Sequence, residues 1–173
     1  MPKRPVDFWK SNHIIIDTRE QKPYVFSGEP VVVSGLRTGD YSVSGMEHLV
    51  CVERKEQGDY WGCLGKSRER FEAELVRMSA IPRSLVVIEA SLSMIHEGWF
   101  YYNPKFKKVV RSPISGEKAL NSAIFWMMIF PSVRFEFCGD RECAERFTLH
   151  WLKDALRYQR HLDKEAKNAP PAP

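Results

Sequence analysis

Residues 39–91 constrain the fold more than any other part of the chain, because three patterns follow one another there. "GDYSVSGMEHLVCVERK" (39–55) has two stretches of strand composition around a glycine turn, which predicts a β-hairpin. "SRERFEAELVRMSAIP" (67–82) has the spacing of an amphipathic helix, and "RSLVVIEAS" (83–91) is apolar without alternation. A strand covered on both faces that follows a helix completes a strand–helix–strand unit, so the pattern predicts an α/β domain.

The flanking segments predict further elements of the same domain. Residues 13–20, 30–35 and 132–139 have the composition of strands, and residues 116–131 and 141–162 have the spacing of helices. With 173 residues, 43% of them hydrophobic, the chain suffices for one full core but not for two. We expect residues 1–12 to form a flexible N-terminus and the polar, proline-rich residues 163–173 to form a disordered tail.

Composition narrows the class of protein. No apolar run approaches the roughly 18 residues of a membrane span, and the polar start lacks the apolar stretch of a secretory signal. We therefore expect an intracellular protein, cytoplasmic or nucleoid-associated, or nuclear in a eukaryote. Cys51, Cys63, Cys138 and Cys143 form no C-x-x-C pair, which favours free thiols over zinc binding. The net charge of +4 permits an anionic partner without requiring one.

The second strand of the predicted hairpin ends in charged residues. Because side chains alternate along a strand, Glu53 and Lys55 are expected on one side and Arg54 on the other. Antiparallel pairing brings Asp40, at the start of the first strand, close to Glu53. Two carboxylates that close repel each other unless a cation lies between them, and a set of oxygen ligands suits Mg²⁺ or Mn²⁺.

This arrangement favours phosphodiester hydrolysis. A metal activates water and neutralises charge on a phosphate, and an adjacent lysine orients or polarises that water. The pattern Asp, gap, Glu-x-Lys is weak evidence alone, since a gap of arbitrary length matches often by chance. Asp17 and Glu20, at the end of the first strand, and Asp59, four residues after Lys55, strengthen it.

Three linked motifs resemble those of a known family. "IIIDTRE", "GDY" and "VERKEQGD" are similar to the V-x-D-x-R-E, G-D-Y and E-R-K-x(3)-D signatures of the XPF nuclease family, which includes the archaeal Hef nuclease. The resemblance covers roughly residues 13–157. It implies a restriction-endonuclease-like α/β nuclease core with a central mixed sheet flanked by helices. The implied activity is divalent-metal-dependent cutting of one strand of branched DNA, such as a flap, fork or junction.

The resemblance also implies roles for matching residues. Asp40 and Glu53 would be the main metal ligands, with Asp17 as a further ligand, and Lys55 would act on the water. Outer ligands, orienting partners or phosphate contacts would be Asp17, Glu20, Arg54 and Asp59. Asp59 also suits the N-cap of a helix starting near Tyr60.

Two alternative functions remain open at this point. Beside the predicted nuclease domain, residues 13–162, we expect no helix-hairpin-helix domain of the kind that family members usually append. A less selective DNA nuclease of a virus or mobile element therefore remains possible. So does a non-catalytic DNA-binding or scaffold subunit, which the intact Asp40, Glu53 and Lys55 disfavour.

Several basic residues are candidate DNA contacts. Arg19, beside Asp17, is either a DNA contact or a partner of the acidic cluster, because the planar guanidinium serves both roles. Lys66, Arg68 and Arg70 follow the charged strand, where a cleavable DNA strand would pass. The alternative for these three is a solvated helix face.

The segment "HEGWFYYNPKFKKVVRSP" (96–113) mixes aromatic residues with Lys105, Lys107 and Lys108. Such a mixture stacks bases and neutralises phosphates. The alternative is a β-hairpin with a basic solvent face and a core-packed aromatic side.

The C-terminal part carries apolar residues that suit a dimer interface. The candidates are the "FWMMIF" run (125–130) and Phe147, Trp151 and Tyr158. The resemblance implies a homodimer through this part, and plain core is the alternative.

Overall fold

The strand compositions and helical periodicities produce one large sheet, one small sheet and five helices among residues 8–168, the part of the chain that the computed structural model describes. The strands of the large sheet are β1 (Ile14–Ile16), β2 (Val31–Val33), β3 (Tyr41–Val43), β4 (Val50–Lys55), β5 (Arg83–Ile88) and β8 (Val133–Phe137). The small sheet pairs β6 (Phe100–Asn103) with β7 (Lys108–Arg111). The helices are α1 (Gln57–Cys63), α2 (Arg68–Ser79), α3 (Leu92–Glu97), α4 (Gly116–Ile129) and α5 (Arg141–Asn168).

The large sheet is mixed, with the strand order β2-β1-β3-β4-β5-β8. β3 is antiparallel to both β1 and β4, whereas β2 is parallel to β1 and β5 is parallel to both β4 and β8. The predicted hairpin is therefore present as β3–β4, and α2 links the parallel strands β4 and β5. These features confirm the predicted α/β class and central mixed sheet.

Strand alternation divides the core between the two faces of the sheet. Val52 and Leu85 pack with α5 on one face, whereas Cys51 and Val86 pack with α2 and α4 on the other. β5 is buried on both faces, as its unbroken apolar run predicts. The charged end of β4 follows the same alternation, so Glu53 lies on the α2 face and Arg54 on the α5 face.

The described parts of both predicted flexible ends, residues 8–12 and 163–168, are more ordered than expected. Trp9 is only 3% exposed and packs into the core, and Arg160 donates to the carbonyl oxygens of Phe8, at 2.6 Å, and Trp9, at 3.1 Å. Residues 8–12 are therefore not a flexible segment. α5 continues to Asn168, so residues 163–168 are helical rather than disordered. Residues 1–7 and 169–173 lie outside the described part.

The segment 96–113 contains the predicted hairpin; Trp99 packs partly buried against the core, whereas the aromatic side chains within β6 are exposed. Phe100 is 60% exposed, Tyr101 40% and Tyr102 61%. The expectation of a core-packed aromatic side is therefore wrong for these residues.

The short helices α1 and α3 were the elements hardest to predict. α3 has six residues, too few to show a helical period, and Ser91 caps it by accepting a hydrogen bond from the Met94 N–H at 3.2 Å.

The four cysteines are free thiols, as expected. No helix within residues 8–168 is long and apolar enough to cross a membrane.

Candidate active site

The β3–β4 hairpin brings Asp40 and Glu53 together. Tyr41 pairs with Val52, and the Asp40 N–H donates to the Val52 carbonyl oxygen at 2.7 Å. The Arg54 N–H in turn donates to Asp40 Oδ2 at 2.7 Å, which orients the carboxylate. Gly39 adopts a φ of +79°, and a Cβ there would lie only 3.0 Å from the Val52 carbonyl oxygen. The glycine before Asp40 is therefore required by the turn and by the close approach of β4.

Glu53 and Lys55 form an ion pair on the α2 face. Lys55 Nζ donates to Glu53 Oε1, and both side chains are largely buried. The Lys55 ammonium also lies 5.2 Å from the centre of the Phe71 ring of α2. This packing holds the lysine beside the paired carboxylates, as strand alternation predicted.

Burial and mutual repulsion raise the proton affinity of the two carboxylates. Burial, with a further contribution from the negative charge of Glu53, raises the pKa of Asp40 to about 8. Burial also raises the pKa of Glu53, although Lys55 acts in the opposite direction. Burial alone would lower the pKa of Lys55, but the charges of Glu53, Cys63 and Asp40 and the hydrogen bond to Glu53 together outweigh it, so the pKa lies above its usual value. Lys55 already balances one negative charge, so a further cation would be needed for both carboxylates to ionise fully.

These residues line an open pocket of about 410 Å³. It brings together most of the residues predicted for the site: Arg19, Glu20, Asp40, Glu53, Arg54, Lys55, Asp59 and Arg70. An adjoining pocket of about 400 Å³ shares the Asp40–Glu53–Lys55 group and is also lined by Asp17.

Asp17 is bound by protein donors on both carboxylate oxygens. Arg19 Nε donates to Oδ1 at 2.6 Å, and the Leu36 N–H donates to Oδ2 at 2.5 Å. Burial raises the pKa of Asp17, but the hydrogen bonds from Arg19 and the Leu36 N–H outweigh it, so the net pKa is lowered. The structure therefore shows Asp17 bracing the loops behind the site rather than presenting free oxygens to the pocket.

Arg54 points to the opposite face of the sheet and binds acidic residues there. Its guanidinium donates to both oxygens of Glu89, at 2.7 and 3.1 Å, and lies 3.5 Å from Glu20. Arg141 reaches the same Glu89 oxygen at 3.2 Å. Sequence reasoning missed Glu89 and Arg141. The available signal for Glu89 was a carboxylate directly after the buried strand β5.

The predicted site residues on α1 and α2 differ in whether they line the pockets. Asp59 is exposed in the first turn of α1 and lines the pocket, whereas Glu56 occupies the N-cap, so the capping alternative for Asp59 is wrong. Arg68 binds Glu72 at 2.9 Å and stacks on Trp126, which matches the helix-face alternative. Arg70 is exposed and lines both pockets.

The other candidate DNA contacts lie outside these two pockets. Lys66 is exposed at the start of the α2 region. Lys105, Lys107 and Lys108 are exposed around the β6–β7 turn.

The donor set at the pocket fits Mg²⁺ better than a softer metal. Within residues 8–168, no three His, Cys, Asp or Glu side chains gather closely enough to enclose a metal ion. Mg²⁺, however, usually binds through one or two carboxylates, with water and substrate phosphates completing its shell. Asp40 and Glu53, whose proximity raises the pKa of Asp40, supply such a pair.

Comparison with known proteins places this geometry in a family. The ERCC4 domain matches residues 16–150, which is most of the chain. The chain belongs to the ERCC4-domain family. This is the XPF-type family that the three sequence motifs indicated, and its members include DNA endonucleases. The ERCC4 domain of this chain therefore classes it as a DNA nuclease domain.

One solved structure supports the fold. XPF from Aeropyrum pernix has 15% identity and a TM-score of 0.60, with 87% of this chain and 68% of that chain covered. A structure of XPF from Aeropyrum pernix in complex with DNA has 17% identity and a TM-score of 0.48, with 92% and 67% covered. No curated protein sequence matches the chain.

Proposed function

We propose that this ERCC4 domain is a divalent-metal-dependent endonuclease that cuts one strand of branched DNA. The observation that carries the proposal is the half-buried Asp40 beside the buried Glu53 and its partner Lys55, in one open pocket. Mg²⁺ is the proposed cofactor, and Mn²⁺ is expected to substitute for it because it accepts similar oxygen ligands. Branched DNA with flaps, forks or junctions is the proposed substrate, on the basis of family membership.

Each residue of the pocket has a distinct role in this proposal. Asp40 and Glu53 would hold the metal, which supplies Lewis acidity that activates water and neutralises charge on the phosphate. Lys55, held beside Glu53, would orient or polarise the attacking water. Arg70 is exposed at the pocket and is suited to bind a phosphate beside the scissile bond.

Two alternative functions would use the same site differently. A less selective DNA nuclease would use the same carboxylates but would cut linear and branched DNA alike. A non-catalytic DNA-binding or scaffold subunit would not need the Asp40–Glu53–Lys55 group. That group is intact here, which supports an active nuclease.

The test is cleavage of labelled flap, fork, four-way junction and linear duplex DNA with Mg²⁺ or Mn²⁺. Wild type is compared with Asp40→Asn and Lys55→Ala, and with Asp163→Asn as a control at an exposed position near the end of α5. We expect cutting near the branch that the two pocket variants abolish and the control retains.

Two other results of this cleavage assay would each favour one of the alternative functions. Equal cutting of all four DNAs, still abolished in the pocket variants, would favour the less selective nuclease. Binding without cutting by wild type, with either metal, would favour the scaffold subunit.

We also propose a homodimer through α4. The predicted apolar run divides between core and surface, since Trp126 is fully buried. Phe125 is 51% exposed and Met128 74%, and Ile124 and Ile129 are exposed beside them. An exposed apolar helix face of this kind is typical of a protein–protein interface.

A further inference from the structure

The proposed active-site pocket continues into a smaller aromatic groove. The groove has a volume of about 270 Å³, and Gly58, Trp61, Trp99 and Tyr101 are among the residues that line it. Gly58, in the first turn of α1, also lines the active-site pocket, so the two cavities meet at that residue. A strand of DNA that leaves the scissile position across α1 would enter this groove.

One face of the β6–β7 hairpin forms a wall of the groove. Side chains on a strand alternate, so Trp99 and Tyr101 lie on one face and Phe100 and Tyr102 on the other. The ring centres of Trp99 and Tyr101 are 6.1 Å apart, and those of Trp99 and Trp61 are 6.4 Å apart. This face thus continues the aromatic surface that begins on α1.

Gly58 is the residue that lets the hairpin approach α1 this closely. A Cβ at position 58 would lie 2.7 Å from a carbon of the Trp99 ring, closer than real contacts allow. The glycine therefore makes room for the tryptophan directly beside the active-site pocket.

The charge of the hairpin favours a nucleic acid as the occupant. Lys108 pairs with Asn103 across the hairpin, so it lies on the same face as Tyr101. Lys105 and Lys107 are exposed in the connecting turn, and Arg111 is exposed on the opposite face. Basic side chains beside exposed aromatic rings are the combination that binds single strands, since the rings stack on bases and the cations contact phosphates.

We infer that the Trp61–Trp99–Tyr101 groove binds an unpaired base of the DNA strand next to the scissile phosphate. Tyr101 is 40% exposed and supplies the accessible ring, while Trp61 and Trp99 form the floor and side of the groove. Lys108 contacts the adjacent phosphate. The inference rests on the proposed function, because it takes its substrate from the proposed active site, and it assigns the single-stranded side of a branch to the hairpin.

The test uses the full chain in EDTA, so that binding is measured without cleavage. The probes are a duplex with a single-stranded overhang containing 2-aminopurine and the corresponding blunt duplex. Tyr101→Ala removes the ring, Tyr101→Phe retains it, and Tyr102→Ala is the matched control one residue away on the opposite face.

We expect Tyr101→Ala to weaken binding of the overhang about 5- to 150-fold, the range for removal of one base stack. The same variant should also relieve the quenching of 2-aminopurine and leave binding of the blunt duplex unchanged. Tyr101→Phe and Tyr102→Ala should bind both DNAs as wild type does. Unchanged overhang binding by Tyr101→Ala, or equal weakening for the overhang and the blunt duplex, would overturn the inference.

Cleavage of the labelled flap and fork DNAs by wild type with Mg²⁺ separates this inference from the proposed function. Cleavage by wild type together with unchanged overhang binding by Tyr101→Ala would overturn the groove alone. Loss of overhang binding by Tyr101→Ala without any cleavage by wild type would support the groove as a single-strand site and overturn the nuclease proposal.

Discussion

Arg54 and Lys55 are adjacent in the chain yet belong to different environments. Lys55 lies on the α2 face beside Glu53, whereas Arg54 crosses to the α5 face and binds Glu89. The separation follows from the two-residue period of a strand. Lys55 therefore takes part in the proposed chemistry, while Arg54 anchors the strand β4 that carries Lys55.

The hydrogen bonds of Asp17 predict a structural effect of its substitution. Asp17→Asn is expected to lower the free energy of unfolding by about 1.5–3 kcal/mol, because Arg19 and the Leu36 N–H lose a charged acceptor. It should retain Mg²⁺ binding, measured by titration calorimetry, whereas Asp40→Asn should lose it. Loss of Mg²⁺ binding in a stably folded Asp17→Asn variant would restore Asp17 as a metal ligand.

The Arg54–Glu89 pair predicts a large loss of stability. Glu89→Ala leaves the buried guanidinium of Arg54 without its bidentate partner and is expected to cost about 3–5 kcal/mol in urea unfolding. The control is Glu142→Ala, which removes an exposed pair with Arg146 and should cost about 0–1 kcal/mol. Equal effects of the two substitutions would show that Glu89 is not a structural anchor.

The long helix α5 holds the loops that precede β2. Phe26 N–H donates to Glu145 at 2.7 Å, and Lys153 binds Glu29, whose other oxygen accepts from Trp9. The two contacts made by α5 join segments more than 100 residues apart. The helix thus closes the α5 face of the sheet over the N-terminal segment.

The Glu29 contacts predict a pH dependence of stability. Burial raises the pKa of Glu29, but hydrogen bonds from Lys153 and Trp9 outweigh it, so the folded pKa lies below the usual 4.5. Glu29 therefore contributes stability above about pH 4.5, and this contribution disappears as pH falls through the lowered pKa. Glu29→Gln should cost about 1–3 kcal/mol at pH 7 and much less at pH 3.

Urea unfolding of both proteins between pH 3 and pH 8 measures this difference. Asp154→Asn, which removes an exposed pair with Arg157, serves as the control and should have little effect at any pH. A Glu29→Gln effect that does not change with pH would contradict the assigned pKa shift.

The proposed DNA path crosses the molecule through connected cavities. Arg77 belongs both to the pocket beside Asp17 and to a further cavity of about 410 Å³ lined by Leu36, Arg37 and His48. The active-site pocket lies between that cavity and the aromatic groove at Gly58. One end of the path is therefore lined by arginines, and the other end is aromatic with lysines nearby.

The lysines at the aromatic end predict a salt effect on DNA binding. Replacing Lys105, Lys107 and Lys108 with Ala should flatten the plot of log affinity against log salt by about 0.7–0.9 for each phosphate that these lysines neutralise in wild type. A Lys164→Ala/Lys167→Ala variant, altered at exposed positions near the end of α5, should keep the wild-type slope. An unchanged slope in the triple variant would exclude the hairpin as a phosphate-binding surface.

The exposed face of α4 predicts the oligomeric state. Wild type should sediment as a dimer, and Met128→Lys should shift it toward monomer, because a charge would replace a residue that is 74% exposed in the single chain. Val25→Lys is the control, since Val25 is 73% exposed in a loop before β2. A monomeric wild type would refute the proposed dimer.

Local patterns determined the elements that carry the site, and long-range packing determined its surroundings. The strand period and the hairpin turn sufficed to predict that Asp40 meets Glu53 and that Lys55 accompanies it, because both depend on residues near in sequence. The Arg54–Glu89 pair and the approach of Trp99 to Gly58 join segments 35 or more residues apart, so no local sequence pattern predicts them. Asp17 shows the same limit in part: Arg19, from its own motif, binds Oδ1, but the donor to Oδ2, the Leu36 N–H, lies 19 residues away.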